Sequence, residues 1–215
     1  MKSLRDTPRR EQLEEAMKLL SQESDRGCAL VGGALLDEHL RDYLAAYFET
    51  DAITTALLDA QNAPLFTFSS RIKLAHAIGI IDADWFHGFE VVRRIRNAAA
   101  HFERKHGFNT GFQTEPIKNR CLELIGSSTE ALALFKDRPR HVFSLYVAYS
   151  AGALIELSHA MRFIRKQPSD SMDMLMLVRS LAVELSKGRN MSGRVAARLL
   201  EREDARLVEP GTSAT

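Results

Sequence analysis

An all-α fold, a multi-helix bundle of about eight helices, is what this 215-residue sequence predicts, and three observations carry that reading. Apolar residues recur at steps of three and four along most of the chain, the period of one helix face. Helix-forming residues dominate, and Gly and Pro fall mostly between the periodic segments. No stretch alternates apolar and polar residues as a half-buried strand would. An internal repeat of fixed period is also absent, which favours a bundle over a solenoid.

The elements follow in order. Leu13, Met17 and Leu20 mark an amphipathic helix over about 8–22, where Pro8 is tolerated because a first-turn N–H has no intrahelical partner. Ser24 and Asp25 offer capping oxygens to a second helix, whose apolar stripe of Leu30, Ala34, Leu35, Leu40 and Leu44 runs to about 48. Gly27, Gly32 and Gly33 lie inside it at a cost of about 1 kcal/mol each relative to Ala, which predicts close approach of a second backbone at that turn. The Gly32-Gly33 pair lacks the Lys-Ser/Thr companions of a phosphate-binding loop.

A short helix over about 53–60 leads to a loop through Pro64, and Ser69 or Ser70 is the expected cap of a helix ending at Gly79. Asp82 caps a longer helix that carries Trp85, Phe89, Val92, Ile95 and Ala99 on one face to about 102. Residues 106–114 are polar and Gly-containing, and read as an exposed loop. Pro116 opens a helix bearing Ile117, Cys121, Leu124 and Ile125, and Pro139 opens a long apolar helix to about 166. Ser144, Ser150, Glu156, Ser158 and His159 interrupt that helix, so it falls short of the roughly 18 apolar residues of a membrane span and reads as buried in the bundle. Two more helices are expected over about 173–187 and 192–204.

The domain organisation that follows is an N-terminal helix over 1–23, a helical bundle over 24–166, a C-terminal helical extension over 167–207 and a flexible tail over 208–215. Val142, Leu145, Tyr146, Val147, Tyr149, Leu154 and Leu157 surround much of the long helix rather than forming one stripe. That surplus predicts a homodimer.

Charge narrows the function classes. Twenty-nine Lys+Arg against twenty-eight Asp+Glu leave a formal charge of +1, so any contact with nucleic acid must be a local patch. Lys187, Arg189, Arg194 and Arg198 form one such candidate patch. Cys28 and Cys121 lie far apart with no CxxC pair, and the seven histidines are scattered, so neither a disulfide scaffold nor a metal site is expected and no cofactor is implied. The first fifteen residues mix charges without an apolar core, which points to the cytoplasm and away from membranes.

The sharpest local feature is Arg96-Asn97-Ala98-Ala99-Ala100-His101. Asn97 and His101 are four apart and share a helix face, while Arg96 and His101 differ by about 140° around the axis. A guanidinium that grips phosphate and an imidazole that titrates near neutrality would suit metal-independent RNA cleavage through the 2′-hydroxyl. The structural alternative has Arg96 pairing with Asp37 or Glu38, with Asn97 and His101 bonded to backbone groups. In that version Asp25, Arg26, Asp37, Arg71, Asn97 and His101 converge in one polar cluster inside the bundle, since each sits on or beside an apolar helix face.

The Arg-Asn-x-x-x-His spacing resembles the signature of HEPN domains, an all-α superfamily that contains ribonucleases, toxins and non-catalytic members. A wider similarity covers about residues 20–105. Ser24-Asp25-Arg26-Gly27-Cys28-Ala29-Leu30 leading to Ala34-Leu35-Leu36-Asp37-Glu38 resembles the opening helix of the mannitol operon repressor (MtlR) family. Asn62-Ala63-Pro64-Leu65, Phe68-Ser69-Ser70-Arg71-Ile72-Lys73-Leu74-Ala75, Gly79 and Asp82, then Ile95-Arg96-Asn97 and Ala100-His101, are similar to its central motif. The resemblance implies a helical transcriptional regulator that restrains a carbohydrate-type operon, without an evident helix-turn-helix, acting as a dimer or larger assembly on a partner protein or DNA. The HEPN-like alternative implies a ribonuclease or RNA-binding protein with Arg96, Asn97 and His101 as its catalytic set.

Overall fold

Side-chain caps set where four of the helices begin. The computed structural model describes residues 8–48, 51–101, 111–126 and 129–165, with Met176 and Ser180 beyond them. Eight α-helices and no strand occur among the described residues: α1 (Pro8–Gln22), α2 (Asp25–Tyr47), α3 (Ala52–Asp59), α4 (Phe68–Ala77), α5 (Ala83–Ala100), α6 (Glu115–Glu123), α7 (Thr129–Phe135) and α8 (Pro139–Arg165), with a 3-10 turn at Gly111–Gln113. Ser24, Asp51 and Asp82 cap α2, α3 and α5 by accepting from the N–H three residues on. The cap of α4 is Thr67 rather than Ser69 or Ser70. Its backbone is extended and its Oγ1 accepts from the Ser70 N–H at 3.1 Å, so both serines already lie in the first turn.

α2 is the axis of the bundle. α8 runs parallel to it in steady register, with Asp25 against Arg140, Cys28 against Ser144, Gly32 against Phe143 and Val147, and Ala46 against Arg165. α5 packs on another side of α2, and α4 lies on α5 through Phe68 against Phe89 and His76 against Phe86. Trp85, Tyr43, Phe89, Phe112 and Phe143 are fully buried and fill the space between these helices.

The glycine pair in α2 does admit close neighbours, but they are side chains from two different helices. A Cβ on Gly32 would come 2.7 Å from Phe143 Cε1 in α8, and one on Gly33 would come 2.6 Å from Arg96 Cγ in α5. Successive residues point about 100° apart, so the pair opens two sides of α2 at once.

The apolar surround of α8 is consumed within one chain. Val142, Leu145, Tyr146, Val147, Leu154 and Leu157 are all buried and Tyr149 is half-buried, because α1, α2, α6, α7 and the 3-10 turn enclose the helix from several sides. The surplus that pointed to a homodimer is therefore absent. Buried serines fit the same close packing: Ser158 Oγ donates to the Leu154 carbonyl at 2.7 Å, and Ser144 meets Cys28 at 3.5 Å. Among the described residues, no helix is long and apolar enough to cross a membrane.

Two segments depart from expectation. The polar stretch read as an exposed loop ends in Gly111 and Phe112, both buried; residues 102–110 lie outside the described part. Phe112 packs tilted against Phe143 with ring centroids 5.1 Å apart, so a single aromatic anchor holds a polar segment in the core. α7 had no counterpart in the periodicity because it spans only seven residues, of which Ala131 and Phe135 are buried.

Candidate functional site

The Arg96-to-His101 motif closes α5. The helix ends at Ala100, and His101 follows in extended conformation, with its N–H donating to the Asn97 carbonyl at 3.2 Å. Ala98 and Ala99 are buried, Arg96 and Asn97 half-buried, and Ala100 and His101 exposed. Arg26 reaches across from α2, and its Nε donates to the Ala99 carbonyl at 2.6 Å. A guanidinium at a helix C-terminus satisfies an orphan carbonyl and suits the negative end of the dipole.

Arg96 lies down over α2 instead of standing in a cleft. Its aliphatic stem fits the space left by Gly33, and its charge acts on the Asp37 carboxylate. Burial pushes the Asp37 carboxyl above its ordinary range, against the hydrogen bond from Arg71 and the positive fields of Arg71 and Arg96. The Arg96 stem is thus folded along α2, while His101 is exposed just beyond the end of α5.

The six residues expected in one cluster occupy three separate stations. Asp25 and Asp37 lie twelve positions apart on one helix, about 18 Å along its axis. At the start of α2, Asp25 accepts from Arg140 Nη1 at 2.9 Å and from the Phe112 N–H at 3.1 Å. Gly111 makes that second bond possible: its φ is +68°, and a Cβ there would come 2.0 Å from the Asp25 carboxylate. Arg26, Asn97 and His101 belong to the end of α5. Further along α2, Asp37 accepts from Arg71 Nη1 at 2.6 Å, while Arg71 Nε donates to the Leu65 carbonyl at 2.8 Å and Nη2 to the Leu58 carbonyl at 2.9 Å. That station binds α4 to α2, to the end of α3 and to the loop between α3 and α4.

Arg140 is the structural residue that the sequence reading missed. Its Nη2 donates to the Leu20 carbonyl at 3.0 Å and also contacts the Glu23 carbonyl, so one side chain closes the C-terminal end of α1 while pairing with Asp25. A signal was present. A cation in the first turn of a helix opposes the macrodipole, and such a placement calls for partners elsewhere. Arg140→Gln should cost about 1 to 2 kcal/mol, because the pair is about one-third exposed. Amide exchange in α1 should accelerate more than in α5; equal acceleration throughout would show that Arg140 does not clamp α1 in particular.

Among the described residues, the remaining groups make no reactive ensemble. Cys28 and Cys121 are buried free thiols, and burial pushes both above the ordinary thiol range, Cys121 the further. Among the described residues, no group of three His, Cys, Asp or Glu side chains could hold a metal. An apolar cavity of about 30 Å³ between α6, α7 and α8, lined by Phe135, Val142, Leu145 and Tyr146 among others, has room for about one water and involves neither Arg96 nor His101. Lys187, Arg189, Arg194 and Arg198 lie outside the described residues, as do the expected helices over 173–187, apart from Met176 and Ser180, and over 192–204 and the tail over 208–215. No known protein family, curated protein or solved structure matches the chain.

Proposed function

We propose that this protein is a cytoplasmic transcriptional regulator of the mannitol operon repressor type, which restrains a carbohydrate-type operon through contacts with a partner protein or DNA and not by catalysis. The observation that supports this reading is the use of the Arg96-to-His101 motif as architecture. Arg96 packs along Gly33, and Arg26 ties the carbonyl end of the same helix to α2. The four sequence blocks that resemble the family fall on α2, the α3–α4 loop with α4, and α5, and the two contacts join the first of these to the last. Self-association enters the proposal through that resemblance alone.

Exposure of His101 favours a second reading, a HEPN-type metal-independent ribonuclease. The two separate in one assay. Under the regulator reading, single-stranded RNA stays intact with purified protein in chelator, and His101→Ala changes stability by no more than about 0.5 kcal/mol, as expected for an exposed side chain. Chelator-resistant cleavage that leaves 2′,3′-cyclic phosphate ends and disappears in His101→Ala would replace the regulator with the ribonuclease. A pull-down from the native host, with and without nuclease, then distinguishes the regulator's partners: a protein partner is retained after treatment, and a DNA-borne one is lost.

A further inference from the structure

Charge is unevenly placed on the outer side of α4 and α5. α4 contains no acidic residue, and α5 contains two, Asp84 in its first turn and Glu90. Arg93 Nε and Nη2 donate to the two Glu90 oxygens at 3.0 and 2.8 Å, and the Glu90 side chain is only 13% exposed. Arg94, four residues after Glu90 and so on the same face of α5, is exposed and carries no ion pair among the described residues. α4 lies on α5 through Phe68 against Phe89 and His76 against Phe86; Lys73, between those contacts in the chain, is exposed and likewise makes no ion pair among the described residues. The hydrogen bonds from Arg93, followed by the charges of Arg93, Arg94 and Lys73, hold the Glu90 carboxyl below its ordinary range against the effect of burial. Three cations thus surround one covered carboxylate, which leaves two unneutralised positive charges at this place on a protein whose formal charge is +1.

We propose that this face of α4 and α5 contacts the phosphate backbone of duplex DNA, which rests on the regulator reading and gives it a DNA partner. Phosphate contact needs cations on long side chains, and Lys73 and Arg94 supply them. A protein partner would need more. Protein interfaces are centred on large apolar or aromatic anchors, and none of the exposed large apolar side chains among the described residues belongs to α4 or α5. Single-stranded nucleic acid is held by aromatic rings on which unpaired bases stack. Here Phe68, Trp85 and Phe89 are buried, and Phe86 is half-buried against the core beside His76. A duplex keeps its bases stacked and turns its phosphates outward, so it asks of this surface only the charge that is there. Such contacts position DNA without reading its sequence.

Fluorescence anisotropy of a labelled random-sequence duplex with the full chain, between about 50 and 200 mM salt, tests this. Lys73→Gln combined with Arg94→Gln should weaken binding equally for unrelated sequences and flatten the slope of log affinity against log salt by about 2, about 1 for each cation. Glu90→Gln releases Arg93 and should steepen the slope by about 1. Lys18→Gln combined with Lys136→Gln makes the same change of net charge at exposed sites on α1 and after α7, and should leave the slope as it is. All three variants should unfold cooperatively like the parent. A folded parent that binds no duplex at the lowest salt, a slope that Lys73→Gln with Arg94→Gln leaves unchanged, or tighter binding of single-stranded RNA than of duplex would each overturn the proposal. Failure here is distinct from failure of the regulator reading: a protein partner retained after nuclease in the pull-down keeps that reading without DNA contact at this face, whereas chelator-resistant RNA cleavage removes the reading itself.

Discussion

Arg71→Met should lower the unfolding free energy by about 3 to 5 kcal/mol, the largest loss expected from any single polar side chain in this fold. Arg71 is only 8% exposed and places three nitrogens on three acceptors, the Asp37 carboxylate and the Leu58 and Leu65 carbonyls. Methionine keeps much of the volume and removes every donor. Two backbone carbonyls then lose their protein partner, and a carboxyl that burial already pushes up loses its nearest cation. Arg96 adds only a longer-range field, so Asp37 takes up a proton more readily. Arg71→Lys should recover only part of the loss, since one ammonium cannot span acceptors on three chain segments. Urea denaturation checks this: the midpoint should fall at unchanged slope, and a shift worth less than about 1 kcal/mol would show that the station is peripheral to stability.

The route from sequence to this station shows what periodicity can and cannot reveal. Trp85, Phe89, Val92 and Ile95 announce the buried face of α5 because a 3.6-residue period needs only local order. Asp82 and Pro139 announce helix starts for equally local reasons, through a capping oxygen and a missing N–H. Arg71 and Asp37 stand out as charges on otherwise apolar faces, yet nothing local says that they meet each other rather than Asp25 or His101. Helix rise alone separates Asp25 from Asp37 and excludes a single cluster, an arithmetic step as available in the sequence as the cap at Asp82. Phe112 and Arg140 were hidden for a different reason. Each lies in a segment whose average character opposes its role, an aromatic in a polar stretch and a cation at the start of an apolar helix, and their partners are 31 and 115 residues away in the chain.

Gly32→Ala and Gly33→Ala should each destabilise the bundle although alanine is the better helix former. The gain in intrinsic propensity is about 0.5 to 1 kcal/mol at each site. Against it stands a new Cβ at 2.7 Å from Phe143 Cε1 in one case and at 2.6 and 2.7 Å from Arg96 Cγ and Cβ in the other. Neither neighbour can swing away cheaply. Phe143 is fully buried, and the Cβ of Arg96 is fixed to the α5 backbone, so α8 or α5 must shift bodily from α2. Overpacking of this kind typically costs about 1 to 3 kcal/mol, which exceeds the propensity gain over most of that range. The two substitutions strain different helix pairs, so the double variant should approach the sum of the single effects despite their adjacency. It should also reach the motif, because lifting Arg96 from Gly33 moves the end of α5 that Arg26 caps. Thermal or urea unfolding of the two single variants and the double variant decides the matter. Stabilisation by either alanine would mean that the glycines serve the flexibility of α2, and strong non-additivity would mean that α5 and α8 move as one body against it.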